Sequence, residues 1–140
     1  MIAVIRIAGQ VKIRKKVEKT LFRLRLRKKF ACTLIREKDA VKIGMLKKVK
    51  DLVAFGEIEK GMLTRLIEKR GKRKDKKEIK DAEKIAEEIE KGKSLEELGF
   101  KSFFNLHPPR GGLKSSKKQF PRGVLGNHKQ EISKLIERML

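Results

Sequence analysis

A chain of 140 residues has room for one domain with a buried core, and this one sets 39 Lys and Arg against 18 Asp and Glu, a formal net charge of +21. So few acids exclude a surface neutralised by ion-pair networks, and the excess calls for a polyanionic partner, nucleic acid ahead of an anionic membrane. The single Cys32 excludes a disulfide framework and a multi-cysteine metal site, and no run approaches the roughly 18 apolar residues of a membrane-spanning helix.

The amino end, Met1 to Ile7, is apolar but too short and wrongly ordered in charge for a signal peptide, so a cytoplasmic protein is expected. Ile2 to Ile7, broken only by Arg6 and bounded by Gly9, reads as a buried strand. From Val11 to about Leu26, the residues Ile13, Val17, Leu21 and Leu24 fall on one face of an amphipathic helix. Its other face carries Lys12, Arg14, Lys15, Lys16, Lys19 and Arg23, and Glu18 is the only acid in the first 36 residues. Arg25, Arg27, Lys28 and Lys29 prolong the charge. Phe30 to Ile35, holding Cys32 and Thr33, is a second strand. Asp39 caps a second helix to about Lys50 with Val41, Met45, Leu46 and Val49 inward. Leu52 to Phe55 is a third short strand, closed by Gly56. Residues 1–58 therefore read as a β-α-β-α-β unit of α+β class, a small sheet with two helices packed on it.

Residues 59–99 are helical in texture. Ile58, Met62, Leu63, Leu66 and Ile67 mark a helix stopped by Gly71. Ile79, Ala82, Ile85, Ala86 and Ile89 mark another, with Glu87 placed to pair with Lys91. Ser94 and Glu97 form a capping-box signature for a one-turn helix ending at Gly99. Acids outnumber bases between Asp81 and Glu97, so this patch is expected to face away from phosphate. Residues 100–127 are different: all three prolines (108, 109 and 121) lie here with Gly111, Gly112, Gly123 and Gly126, and no acid. No helix passes such a tract, which reads as an extended basic loop. Residues 128–140 close the chain with a helix introduced by Asn127, whose stripe of Ile132, Leu135, Ile136, Met139 and Leu140 must pack back on the core.

Nothing here supports a catalyst. Gly56 and Gly61 have P-loop spacing, but Met62 and Leu63 stand where Lys and Ser/Thr are needed. Cys32 in a strand is a small core hydrophobe, and no paired carboxylates or Ser/His/Asp arrangement is present. The expectation is a non-enzyme with no cofactor, no metal, no small-molecule substrate and no membrane partner. Two acid-free cationic surfaces in one small chain favour phosphate binding. The first comprises Arg14, Lys15, Lys16, Lys19, Arg23 and Arg27; the second comprises Arg110, Lys114, Lys117, Lys118 and Arg122. His107 and His128 read as polar loop residues able to hydrogen-bond phosphate or ribose. With neither Trp nor Tyr, only Phe can stack on bases, which argues against a single-strand binder of the aromatic-platform kind.

Gly44-Met45-Leu46-Lys47-Lys48-Val49-Lys50-Asp51-Leu52-Val53 and Phe55-Gly56-Glu57-Ile58 resemble the large-subunit ribosomal protein L-thirty family. Leu106-His107-Pro108-Pro109-Arg110-Gly111-Gly112 and Leu125-Gly126-Asn127-His128 resemble its archaeal form, which is related to the eukaryotic protein L-seven. The resemblance implies a ferredoxin-like core with a three-stranded, mostly antiparallel sheet and a carboxyl-terminal extension. It implies a ribosome-bound structural role, with large-subunit rRNA and neighbouring ribosomal proteins as partners. The family's RNA-facing positions map to Arg14, Lys15, Lys16, Lys19, Gly44, Met45 and Lys48. The family often has a basic residue before Gly-Met; here Ile43 stands there, after Lys42. The rival reading is a general RNA or DNA chaperone acting outside the ribosome.

Overall fold

The computed structural model describes residues 1–9, 11–113, 115 and 117–140. Strand β1 (Ile2–Arg6) leads to helix α1 (Lys15–Arg23), β2 (Ala31–Ile35), α2 (Ala40–Val49) and β3 (Val53–Glu57). Then come α3 (Lys60–Arg70), α4 (Ala82–Glu90), two short strands β4 (Phe104–Asn105) and β5 (Gly126–Asn127), and α5 (Ile132–Met139). The sheet order is β4-β2-β1-β3-β5. At its centre β1 runs antiparallel to both neighbours, with Val4 opposite Thr33 on one side and Phe55 on the other. This α+β arrangement is compatible with the expected ferredoxin-like core.

The sheet has five strands rather than three. Antiparallel β4 adds to β2 at Ala31 and Cys32, and parallel β5 adds to β3 at Ala54 and Phe55. Both come from the proline-glycine stretch, where two-residue pairings carry no alternating pattern to read. They shield the outer strands over a few residues, as short edge strands do.

Both faces of the sheet are covered. Val4, Ala31 and Val53 pack with Leu21, Leu24, Leu46 and Val49 of the α1–α2 layer. Ala3, Ile5, Cys32 and Ala54 pack with Leu63, Leu66, Ile67, Ile132 and Ile136 of the α3–α5 layer, and α4 joins that side through Ala86 and Ile89. The strands are therefore apolar on both sides and read as continuous runs rather than alternations. The acid-bearing α4 lies across the sheet from α1.

Several local expectations shift. α1 starts at Lys15, because Lys12 takes a left-handed φ of +61° and stops the helix extending back to Val11. Asp39 does cap α2, accepting from the Lys42 N–H at 3.2 Å, but Val41 is 69% exposed rather than inward. Glu87 pairs across to Lys60 at 3.2 Å, not to Lys91. Ser94 and Glu97 make their reciprocal cap, yet the segment closes as a turn rather than a helix. Asn127 accepts from the Lys129 N–H at 2.8 Å and opens a 3-10 turn (Lys129–Glu131) ahead of α5. The whole expected α5 stripe is buried. Gly56 has a packing role: a Cβ there would collide with the Lys129 carbonyl and lie 2.9 Å from the Ile132 side chain. Only glycine lets β3 meet the start of α5 this closely.

Candidate nucleic-acid interface

α1 turns Leu21 into the core and half-buries Val17 and Thr20, which leaves Arg14, Lys15, Lys16, Lys19 and Arg23 in solvent. Among the described residues none of these five cations meets an acid within ion-pair distance. Exposed Phe22 lies on the same helix, with the Arg27 guanidinium 4.1 Å above its ring. α2 packs beside α1 and exposes Lys42, Gly44, Lys47 and Lys48, with Met45 half-buried. A side chain at Gly44 would meet nothing within 4 Å, so the fold itself does not require glycine there.

The residue that shapes this face is one that sequence reasoning passed over. Arg6 appeared only as an interruption in an apolar strand, yet it is 2% exposed. It shares the α1 side of β1 with Val4, two residues before it. Its Nη1 donates to the carbonyls of Leu26 (2.8 Å) and Arg27 (3.0 Å), its Nε to Ala8 (3.1 Å) and its Nη2 to Gly9 (3.2 Å). One buried fork thus ties the loop entering α1 to the loop leaving it. Burial lowers the guanidinium pKa, and the charge of Glu18 opposes that shift. A lone basic residue in an otherwise apolar strand was the available signal.

The second basic segment is tied down along its length. Leu106 and Pro109 are buried, and the His107 N–H donates to the Met139 carbonyl. The His107 ring nitrogens lie 2.6 Å from the Pro108 oxygen and 2.7 Å from the Leu140 oxygen. Arg138 donates to the carbonyls of Arg110 and Gly112. Residues 106–112 are therefore strapped to the end of α5. Beyond them the chain closes on itself: Val124 N–H bonds Ser115 O, Gly123 N–H bonds Gln119 O, and Leu125 N–H bonds Lys118 O. Lys117, Lys118 and Arg122 are exposed on this turn, and Arg110 is exposed on the strap before it. Lys114 lies outside the described residues. His128 is not on the surface. It is 6% exposed, its backbone N–H donates to Phe55 O, its Nε2 is 2.5 Å from Val124 O, and its ring lies 4.4 Å from Phe120.

The two basic segments meet at one end of the sheet. Ile7 and Ala8 donate to Leu52 O, Phe30 donates to Arg6 O, and Leu106 donates to Phe30 O. Gln119 reaches Asp51 at 3.3 Å. These bonds gather the 7–9, 27–30 and 50–52 loops and the 117–125 turn beside the start of α1. Among the described residues no three His, Cys, Asp or Glu side chains cluster to hold a metal, and no helix is long and apolar enough to cross a membrane. Cys32 is wholly buried, and burial pushes its thiol up to about 12, which leaves it without a nucleophile's thiolate.

The fold and this surface define a small α+β protein whose basic loops gather at one end of its sheet. Residues 2–53 match the family model for ribosomal protein L30p/L7e. The chain is 38% identical to large ribosomal subunit protein uL30 of Archaeoglobus fulgidus, over 99% of each chain. It is 37% identical to the uL30 of Aeropyrum pernix and 40% identical to that of Desulfurococcus amylolyticus, over 99% of this chain and 98% and 97% of the relatives. The chain belongs to the uL30 family of ribosomal proteins, and as a member of that family it is not an enzyme.

Proposed function

We propose that the protein is a structural component of the large ribosomal subunit that binds its large rRNA through the basic end of the sheet, and so acts ribosome-bound in the cytoplasm. The observation that carries this reading is the row of five α1 cations with no acid partner among the described residues, on a helix whose flanking loops Arg6 ties together. Unneutralised cations on a fixed scaffold release counterions from an RNA backbone on docking. Arg14, Lys15, Lys16, Lys19 and Arg23 make the first row of phosphate contacts, with Gly44 and Lys48 of α2 beside them. Such contacts set position and register and do not read bases. The absence of a side chain at Gly44 lets RNA approach the helix backbone closely. Arg27, Arg110, Lys117, Lys118 and Arg122 extend the footprint around the same end of the sheet. His128, buried, serves the fold instead, and His107 acts mainly by holding the tract to α5. Across the sheet, α4 with its acids is left to solvent or a neighbouring protein.

The test is co-sedimentation of the tagged chain with ribosomal particles on a sucrose gradient after a high-salt wash. Retention in the large-subunit peak supports the reading. Release into the free fractions, with equal affinity for unrelated RNA, would replace it with a general nucleic-acid chaperone.

A further inference from the structure

The C-terminal end of α1 holds a feature that the docking row does not use. The helix closes in a Schellman turn, with Leu26 N–H on Leu21 O at 2.9 Å and Arg25 N–H on Phe22 O at 3.0 Å. Such turns place glycine at the left-handed position, where a Cβ crowds the following carbonyl. Here that position is Arg25, at φ +65°. The Arg25 side chain is exposed and makes no hydrogen bond or ion pair among the described residues. Among the described residues no contact accounts for a side chain at a position that glycine suits better.

Arg25 lines a groove of about 420 Å³ along the open side of β2, where β4 pairs only with Ala31 and Cys32. Its floor is Thr33, Leu34 and Ile35. Arg23, Arg25, Arg36 and Lys42 border it from the α1–α2 side, and the 93–97 turn borders it from the α4 side. None of those four cations pairs with an acid among the described residues. The groove also holds three carboxylates, Asp39 at the α2 cap and Glu96 and Glu97 from the end of the acid-rich stretch, and a fifth cation, Lys93, so the phosphate path runs along its α1–α2 side. Five lining cations against three carboxylates leave the groove net positive, which favours a further anion there. Small-molecule pockets are mainly apolar with a few placed polar groups, whereas eight charged side chains line this groove. Guanidinium forks match phosphate oxygens in pairs. Arg23 belongs both to this groove and to the α1 row.

We infer that the groove is a second phosphate-backbone site for RNA, in which Arg25, with Arg36 and Lys42, grips the strand as it leaves α1. This rests on the rRNA-docking reading, and the test separates the two. The full-length protein is titrated with in vitro-transcribed large-subunit rRNA across a salt series, as wild type, Arg25→Gly, Arg25→Lys and the pair Lys15→Ala with Lys19→Ala. Arg25→Gly relieves the left-handed position, so its Tm should hold or rise, and a binding loss then has no unfolding component. Its affinity should fall roughly tenfold and its salt slope by about 1, and Arg25→Lys should recover part of the loss. Wild-type affinity for Arg25→Gly alongside weakened binding by the α1 pair overturns the groove and leaves the docking reading standing. Wild-type affinity in both overturns both. Normal RNA affinity for Arg25→Gly with poor retention in ribosomal particles assigns the groove to an acidic protein segment, and that also overturns it.

Discussion

Replacing Arg6 by Met tests whether the basic face is built on the buried fork. The substitution keeps most of the volume and removes every donor, leaving the carbonyls of Ala8, Gly9, Leu26 and Arg27 without their partner. Four hydrogen bonds from a charged donor at the low end of about 1.5 kcal/mol each give about 6 kcal/mol. Relief from burying a cation returns about 2–3 kcal/mol of that, so the net loss is about 3–4 kcal/mol. Against a domain stability of roughly 5–15 kcal/mol this is severe but survivable. For a chain of this size it corresponds to a Tm drop of roughly 10–15 °C. Urea unfolding followed by far-UV circular dichroism gives the magnitude. rRNA binding, measured well below the lowered Tm, should also weaken, because the loops flanking α1 are no longer tied together. Arg6→Lys keeps the charge without the fork and should fall between the two. A loss below about 1 kcal/mol for Arg6→Met, with rRNA binding unchanged, would refute the argument, since no buried four-bond clamp is that cheap to remove.

Gly56→Ala should lower stability by about 1–3 kcal/mol, visible as a shifted urea midpoint with an unchanged slope, because the added methyl strikes the Lys129 carbonyl. If the docking footprint neutralises roughly 6–10 phosphates, affinity for rRNA should drop by about three to five decades between 50 and 200 mM salt; a flat response would deny the phosphate contacts. Alanine at Arg110, Lys117, Lys118 and Arg122 together should weaken retention in subunits while circular dichroism stays as in the wild type, since all four side chains are in solvent. Cys32 should resist thiol reagents until the protein unfolds. An exposed thiol ionises near pH 8.5 and the buried one only near 12, so unfolding releases a proton in that window and stability should decline with rising pH across it. That decline should be smaller in Cys32→Ala, and equal slopes in the two proteins would contradict the assignment.

The sequence alone determined the order of the elements, because each helix and long strand carries its own period: Val17 with Leu21, Leu46 with Val49, and the α5 stripe behave locally as amphipathic segments must. It also fixed the charge balance behind the proposed polyanionic partner, because a net charge of +21 cannot be neutralised within 140 residues however the chain folds. It left the edges of the sheet unread, since β4 and β5 are pairings of two residues between stretches far apart in the chain, with no local pattern to announce them. His128 read as a polar loop residue because only the fold places Phe120, Val124 and Phe55 around it. Arg6 and Arg25 belong to the same class. One is a cation hidden beneath a loop junction and the other a cation held where glycine fits better, and both depend on distances between residues that the chain order separates. Which charges lie unpaired in solvent, and which are spent inside holding the scaffold, was decided by the tertiary structure, because a charged side chain's role is set by the groups within a few ångströms of it.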